Sequence, residues 1–424
     1  MKRNKLLLTA LIMAVPALNG CSMLGDLAGL LDPLNIFKQP TDQTGSDNQT
    51  GDGDNTGGGG GGAVTPKPKV VIDGDLTKRS YQFTDNWDLS GIVVKINDGN
   101  GNLTTVEQGQ YTITATPEKP SAFIGSLQLK VVVPGYLYVT RNFDNSYITV
   151  GAEQYNFDSE VQSYYSGLGT NSLKNLQTHS FNKHTKWVNY GELKNYYAVK
   201  DGHRSVDEIP GKYKNQGYYN GRELSIGGNN VEKEHVWACA NTNGLYVHNE
   251  SSGVHYVDNP TYTGAGSDLL QIRPCVGDVN KARGNCKFTE LGTRGTLIKE
   301  SGDPYGFRVS NYSTENGKPA FAKYGEPDDG MKGDLVRTIA YIYMHYGNHG
   351  GEPSSQSSKC GSLSLNDVFD ISGTGYSNVK ALMVAWNQLD PVSEVEKYRN
   401  HTVEKIQGNR NPFVDHPEWI SSLL

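Results

Sequence analysis

Hydrophobic and polar residues alternate in short, β-branched runs over residues 66–150. The clearest runs are residues 69–72, 91–96, 111–114 and 127–133. Turn-forming residues separate the runs, notably the sequence Asp-Gly-Asn-Gly-Asn at 98–102. Period-two alternation gives a strand one apolar face, and several short strands at this spacing are typical of two packed sheets. We therefore predict an all-β sandwich over residues 66–150.

Beyond residue 155 the apolar residues recur three and four positions apart, which is the spacing of one helix face. This spacing predicts a helix within 328–346 and a second over 379–387. Asp390 and Pro391 predict the start of a third helix, with Asp390 as its N-cap and Pro391 in its first turn. The region 155–424 is therefore predicted to be a mixed domain, and the fold class is α+β.

The first twenty residues have the pattern of an export signal. A basic start is followed by an apolar run, Leu6 to Ala17, that is too short to span a bilayer. The run ends in Leu-Asn-Gly-Cys at 18–21, which resembles the lipobox of bacterial lipoproteins. That resemblance implies a signal peptide over 1–20, a lipid on Cys21, and an extracytoplasmic protein anchored to the cell membrane or cell surface. The alternative is an ordinary secreted protein with a chance cysteine at this position.

Residues 21–65 are predicted to form a tether. Asp, Asn, Thr and Gly dominate from Thr41 to Gly62, which closes with six consecutive glycines. A segment of this composition buries no apolar surface and behaves as a flexible linker. We expect it to hold the folded domains away from the membrane.

Charge excludes two classes of protein. The 424 residues include 39 basic and 45 acidic side chains, for a formal net charge of −6. This balance excludes a uniformly basic coat for nucleic acid and a charge-extended disordered chain. Residues 271–299 are locally basic, however, because six cationic side chains face only two acidic ones. The cationic residues there are Arg273, Lys281, Arg283, Lys287, Arg294 and Lys299, of which Lys281 and Lys287 are candidate substrate-binding residues.

Four cysteines follow Cys21, namely Cys239, Cys275, Cys286 and Cys360. An exported protein can oxidise them, and four cysteines allow three pairings. Cys275 and Cys286 are close enough in sequence to form a disulfide. Free thiols in the core are an equally open alternative.

One stretch has residues suited to metal-assisted hydrolysis. Glu234 and His235 lie at the end of a predicted strand, and Asn280 lies on a short predicted helix over 279–285. A neutral imidazole accepts a proton from water. Carboxylate and amide oxygens are ligands that Mg²⁺ prefers, and an arginine nearby can stabilise a phosphate as charge moves to the leaving oxygen.

Five motifs in order resemble the bacterial endonuclease I family of secreted nucleases. The central three are Glu-His-Val-Trp at 234–237, Asp-Leu-x-x-Ile-Arg-Pro at 268–274 and Val-Asn-x-x-Arg-Gly-Asn at 279–285. The other two are Trp-Asn-Gln-Leu-Asp-Pro at 386–391 and Gln-Gly-Asn-Arg-Asn-Pro at 407–412. The resemblance covers 155–424 and implies a His-Me finger (ββα-metal) domain with surrounding helices. The sequence after Trp87 resembles bacterial immunoglobulin-like surface modules.

The resemblance to endonuclease I implies a role for each matching residue. His235 aligns with the general base, Glu234 and Asn280 with metal ligands, and Arg283 and Arg273 with positions where phosphate contacts are expected. The implied reaction is cleavage of DNA, with RNA as a further substrate, with little sequence preference. The implied cofactor is one Mg²⁺, for which Ca²⁺ or Mn²⁺ are alternatives. We expect a monomer.

A second hypothesis is a surface adhesion or nucleic-acid-binding lipoprotein with a degenerate nuclease domain. It rests on departures from the family near the motifs, such as Ala-Cys-Ala at 238–240 in place of the usual Pro-Gln-Ser. Measured cleavage would exclude it.

The remaining histidines and tyrosines are expected to have other roles. His248 and His255 lie in a predicted surface insertion, 241–266, and are either transition-metal ligands or solvated loop residues. No spacing suggests a zinc site among His345, His349, His401 and His416. The aromatic residues Tyr341, Tyr343 and Tyr346 are expected in the core rather than as a base-stacking platform.

Overall fold

The structure is a computed structural model that describes residues 67–151, 155–199, 203–228, 231–241, 262–310, 314–315, 318–319 and 323–424. The predicted signal peptide, Cys21 and the predicted tether lie outside these residues, as do His248 and His255. The described chain divides after Val150 into two compact units.

The first unit contains only strands as regular elements, apart from one short 3₁₀ turn. They are β1 (Lys69–Gly74), β2 (Ser80–Tyr81), β3 (Ile92–Asn97), β4 (Leu103–Thr105), β5 (Thr112–Thr116), β6 (Ser126–Val132), β7 (Val139–Asp144) and β8 (Thr149–Val150). Two antiparallel three-stranded sheets have the orders β1-β3-β4 and β5-β6-β7, and β2 pairs in parallel with β8. All four predicted runs form strands.

One apolar cluster joins the two three-stranded sheets. Val70 and Val94 come from the first sheet, and Val131 from the second. In β6 burial alternates residue by residue, so Leu127, Leu129 and Val131 are fully buried between exposed neighbours. The alternation read in the sequence therefore corresponds to one buried face per strand.

The second unit mixes helices and short strands, which confirms the α+β class. Its helices are α1 (Phe157–Tyr164), α2 (Leu173–Lys183), α3 (Gly277–Arg283), α4 (Lys332–Tyr346), α5 (Val379–Leu389), α6 (Glu394–Gln407), α7 (Pro412–Asp415) and α8 (Trp419–Leu423). Its strands are β9 (Glu208–Ile209), β10 (Lys214–Gln216), β11 (Glu223–Ser225), β12 (Glu232–His235), β13 (Ile272–Cys275), β14 (Lys287–Phe288), β15 (Thr296–Ile298), β16 (Phe307–Val309), β17 (Thr314–Glu315), β18 (Lys318–Pro319) and β19 (Tyr324–Pro327).

Helix α4 is the centre of this unit. All but one of its fifteen residues are buried, the exception being the half-buried Tyr343. Helices α2, α5 and α7 pack around it. A helix that is buried on all sides needs apolar or paired side chains on every face, and α4 supplies Leu335, Ile339 and Ile342 together with a paired Arg337. Tyr341 and Tyr346 are fully buried, which confirms that these tyrosines belong to the core.

The predicted start of the third helix is wrong. Asp390 ends α5 as its C-cap, and its carboxylate accepts hydrogen bonds from the backbone N–H groups of Gly333 and Asp334. Helix α6 begins at Glu394 instead, because Ser393 and Glu396 form a reciprocal capping box.

An antiparallel pair and a short helix position the candidate site. Strand β12 pairs with β13 in a register that places Glu234 opposite Arg273 and His235 opposite Ile272. Helix α3 follows directly and packs on β12. It begins two residues earlier than predicted and ends at Arg283, and the C-cap Gly284 has a φ of 50°, in the left-handed region that favours glycine.

Disulfides and membrane-spanning helices are both absent from the described residues. All four cysteines after Cys21 are free thiols, so the predicted alternative of a disulfide between Cys275 and Cys286 is wrong. No helix within the described ranges is long and apolar enough to cross a membrane.

Candidate active site

Glu234, on β12, is buried next to a tyrosine hydroxyl and a guanidinium group. The hydroxyl of Tyr219 donates to its Oε1 at 2.7 Å, and the Nε of Arg283 lies 3.2 Å from the same oxygen. Burial raises the pKa of Glu234 to about 7, although Arg283 and Tyr219 oppose that rise. A desolvated carboxylate with this environment is suited to binding a cation.

Asn280 is held by Glu232, a carboxylate that the sequence motifs did not include. The Asn280 Nδ2 donates to Oε2 of Glu232 at 2.6 Å, an amide orientation assigned from the hydrogen bond. Its carbonyl oxygen is then the atom suited to a cation. Glu232 also lies against the backbone of Gly277, where a Cβ would come within 2.7 Å of its Oε1. The missed signal was alternation, because Glu232 and Glu234 share one face of β12.

His235 faces a different environment from Glu234, as neighbouring residues on a strand must. Its Nε2 lies 3.0 Å from the carbonyl oxygen of Gly266, which can only accept. The proton is therefore on Nε2, and Nδ1 has the lone pair. The ring stacks on Tyr190 at a centroid distance of 5.9 Å. Burial lowers the pKa of His235 to about 4, so the imidazole is neutral at physiological pH.

The two arginines expected at the phosphate are both buried. The Nε of Arg273 donates to Asp207 at 2.8 Å, and the Nε of Arg399 donates to the same oxygen at 2.9 Å. Arg283 donates to the backbone oxygen of Val236 at 2.6 Å, besides its ion pair with Glu234. With 2% and 1% exposure, the guanidinium groups of Arg273 and Arg283 are placed to hold the hairpin and Glu234 rather than to contact a phosphate.

The two lysines expected to bind substrate are more accessible. Lys281 is exposed on α3, one residue after Asn280. Lys287 is half-buried, and its Nζ donates to the backbone oxygen of Asn366 at 2.7 Å. Of the cations in the local basic patch, Lys281 is therefore the closest in sequence to a candidate metal ligand.

A second group of side chains could also hold a metal ion. His184, Asp268 and His345 are buried, and their ligand atoms lie within 4.8 Å of one another. The sequence spacing of the histidines did not predict this group. The three residues lie on segments far apart in sequence, which only the tertiary fold brings together.

The family model described as Endonuclease I matches residues 155–418, more than half of the chain. The chain belongs to the endonuclease I family. It is 30% identical over 273 residues to a protein named extracellular ribonuclease from Bacillus subtilis (strain 168), covering 62% of this chain and 79% of the relative. A protein of the same name from Bacillus amyloliquefaciens is also 30% identical, over 275 residues. Endonuclease-1 of Buchnera aphidicola subsp. Baizongia pistaciae is 25% identical over 199 residues, covering 46% of this chain and 66% of the relative.

Family membership makes this chain an endonuclease with a nucleic-acid substrate. The family is metal-dependent, in keeping with the oxygen-rich face of β12 and with the cluster around Asp268. The alternative of a binding protein with a degenerate nuclease domain is not favoured. Glu234, His235 and Asn280 all fall within the matched residues.

Proposed function

We propose that this chain is a His-Me finger nuclease that hydrolyses phosphodiester bonds of DNA and RNA with little sequence preference. The observation that carries the proposal is the orientation of His235. Its Nε2 donates to the carbonyl oxygen of Gly266, which fixes the tautomer and leaves Nδ1 as the base. The names of the two Bacillus relatives support RNA as a substrate beside DNA.

In the proposed reaction Nδ1 of His235 takes the proton from the attacking water. Burial and stacking on Tyr190 keep the imidazole neutral and fixed in orientation, so the ring is ready to accept that proton. Proton transfer to a positioned base of this kind typically contributes about 10²–10⁴-fold to the rate.

The proposed metal ligands are Glu234 and Asn280, with Glu232 holding the Asn280 amide. The residues fit a divalent ion because their donor atoms are carboxylate and amide oxygens, the set preferred by Mg²⁺ and accepted by Ca²⁺ or Mn²⁺. A bound ion of this type would stabilise charge on the scissile phosphate. Arg283 orients the Glu234 carboxylate, and Lys281 and Lys287 are proposed contacts to the phosphate backbone.

The decisive test is incubation of the full chain with single-stranded DNA, duplex DNA and RNA, with Mg²⁺ or with chelator. We expect cleavage of all three substrates with Mg²⁺, none with chelator, and 5′-phosphate ends. The variant His235→Ala should lose about 10²-fold or more in rate, whereas the control His349→Ala should be unchanged. Undiminished activity in His235→Ala would refute the base assignment.

We also propose that the chain acts outside the cytoplasm, attached by Cys21. The signal pattern of 1–20, the tether over 21–65 and the names of the extracellular relatives support this placement. The β unit over 66–150 would then be an immunoglobulin-like spacer between the tether and the nuclease domain, 155–424. Replacement Cys21→Ser should release nuclease from the membrane fraction; retention of the variant on membranes would contradict lipid anchoring.

A further inference from the structure

Two histidines in the core of the nuclease unit lie within hydrogen-bond distance of each other. His184 ends α2 as its C-cap, and His345 lies in the last turn of α4. The Nδ1 of His184 and the Nε2 of His345 are 3.4 Å apart. Two nitrogens bound to one tetrahedral ion at about 2.0–2.1 Å are themselves about 3.3–3.4 Å apart. The pair therefore already has the spacing of two ligands on one ion.

Aromatic side chains fix both imidazole rings. Trp187 stacks on His184 with ring centroids 3.7 Å apart, and Phe181 stacks on His345 at 4.1 Å. Burial lowers the pKa of both histidines, that of His345 to about 3. Both rings are therefore held as neutral imidazoles, which is the form that binds metals.

Asp268 supplies a buried negative charge beside these rings. Its carboxylate accepts hydrogen bonds from the hydroxyls of Tyr341 and Tyr346 and from Gln407. Burial opposes ionisation of Asp268, but the hydrogen bonds from Tyr341 and Gln407 favour its charged form, and its pKa lies below the ordinary value. In the described ranges no lysine or arginine forms an ion pair with Asp268. Its negative charge is therefore buried among neutral donors, an arrangement that a bound cation would stabilise.

We propose that His184, Asp268 and His345 bind one first-row transition-metal ion, with Zn²⁺ as the expected ion. This second site uses none of the residues of the proposed nuclease centre. Two imidazoles and one carboxylate are the ligand types that zinc takes in proteins, whereas Mg²⁺ prefers oxygen alone. One Asp268 oxygen lies within 4.8 Å of both ring nitrogens, so the proposed ion would be held by all three side chains. The ion stabilises the packing of α2 against α4.

The test uses Co²⁺ as a spectroscopic substitute for Zn²⁺. The full chain is freed of metal with chelator and titrated with Co²⁺ in excess Mg²⁺, which occupies sites made of oxygen ligands. We expect one equivalent to give the intense visible bands of tetrahedral cobalt and Zn²⁺ to displace it. Zn²⁺ at a hundredfold excess over Kd should raise Tm by about 5 °C or more, and Mg²⁺ should not produce this shift.

Three variants assign the site. His345→Gln should lose the cobalt bands, whereas His349→Gln, on the loop after α4, should keep them. The double variant His248→Gln/His255→Gln tests the histidines of the predicted insertion and should also keep them. Bands that persist in His345→Gln, or disappear in the double variant, overturn the assignment.

Wild-type protein provides a measurement that does not depend on a folded variant. The proposal is overturned outright if the wild-type protein binds no cobalt in excess Mg²⁺ and Zn²⁺ does not raise its Tm. Nuclease activity with Mg²⁺ is measured separately. Cleavage without cobalt binding refutes the second site alone, and cobalt binding without cleavage refutes the proposed nuclease function alone.

Discussion

Glu234 and His235 are adjacent on β12 but face different environments, which suits their different proposed roles as metal ligand and base. Burial keeps His235 neutral and the Gly266 carbonyl leaves the lone pair on Nδ1, while Glu234, one residue earlier, shares the other face with Glu232. Strand alternation produces this separation without any special backbone geometry. Tyr219 and Arg283 then fix the Glu234 carboxylate from the protein side.

The hydroxyl of Tyr219 should set the metal affinity of Glu234. Tyr219→Phe removes the hydrogen bond to Oε1 and keeps the Arg283 ion pair, and the loss of such an outer contact typically costs about 10–100-fold in metal affinity. We expect the Mg²⁺ concentration for half-maximal cleavage to rise by about tenfold, with a smaller change at saturating Mg²⁺. Tyr218→Phe is the matched control, because that buried tyrosine packs on Arg273 instead. An equal effect of both variants would point to general loss of packing.

Single residues of the site differ in how far the sequence predicts them. Glu234, His235 and Asn280 belong to local motifs whose spacing is visible, and the structure places Asn280 and Glu234 on the same side of the hairpin. Glu232 was within reach, because alternation along β12 puts it on the face of Glu234. The pairing of Asp207 with Arg399, 192 positions away, depends on the tertiary fold and has no local signal.

At the scale of elements, helix ends were the weakest predictions. Both Asp390-Pro391 and Ser393-x-x-Glu396 are start signals, and local sequence alone does not choose between them. Tertiary contact decides, because the Asp390 carboxylate is engaged by the first backbone N–H groups of α4. The strands of the first unit were predicted well because burial there follows the period-two pattern directly.

The Ser393 cap should make a measurable contribution to stability. Ser393→Ala removes the hydroxyl that accepts from the Glu396 N–H at 3.2 Å. We expect a loss of about 1 kcal/mol in the free energy of unfolding, measured by urea denaturation. Ser421→Ala, an exposed serine in α8, should change it by less than about 0.5 kcal/mol. No loss in Ser393→Ala would mean that packing of α6 makes its cap dispensable.

Helices α4 and α6 are joined by a buried charge network. Arg337 donates to both carboxylate oxygens of Glu396, at 2.6 and 2.7 Å, and also to Asp334 at 3.2 Å. Burial and the neighbouring Glu396 raise the pKa of Asp334 well above its ordinary value, whereas Arg337 holds the pKa of Glu396 below its own. The two carboxyl groups beside Arg337 therefore have pKa values shifted in opposite directions.

This network should make the protein lose stability as pH rises. Because the folded pKa of Asp334 is raised, the folded state holds a proton that the unfolded chain releases above about pH 4. The resulting stability is fully present below that pH and is lost as pH rises through the folded pKa. Asp334→Asn stays neutral, so its urea midpoint should fall less across the same range. Parallel pH profiles for the wild type and the variant would show that Asp334 is ionised in the folded protein.

At the scale of the whole molecule, net charge was a poor guide to substrate and local charge a better one. The chain belongs to a nuclease family although its formal net charge is −6. The two facts are compatible because contact with a polyanion depends on local charge. The structure reduces the basic patch, however, because Arg273 and Arg283 are buried in ion pairs. Four of its six cations remain at least partly exposed, namely Lys281, Lys287, Arg294 and Lys299.

This smaller patch predicts a shallow dependence of binding on salt. For duplex DNA, four neutralised phosphates correspond to a slope of log K against log salt of about −3.6, rather than about −5.4 for six. Binding is measured with the His235→Ala chain to prevent cleavage. Lys281→Gln should weaken binding of all sequences alike and reduce the slope by about 1. Lys174→Gln, an equal change of charge at an exposed position on α2, should leave the slope unchanged. A steeper slope that Lys281→Gln does not alter would place the nucleic acid on another surface.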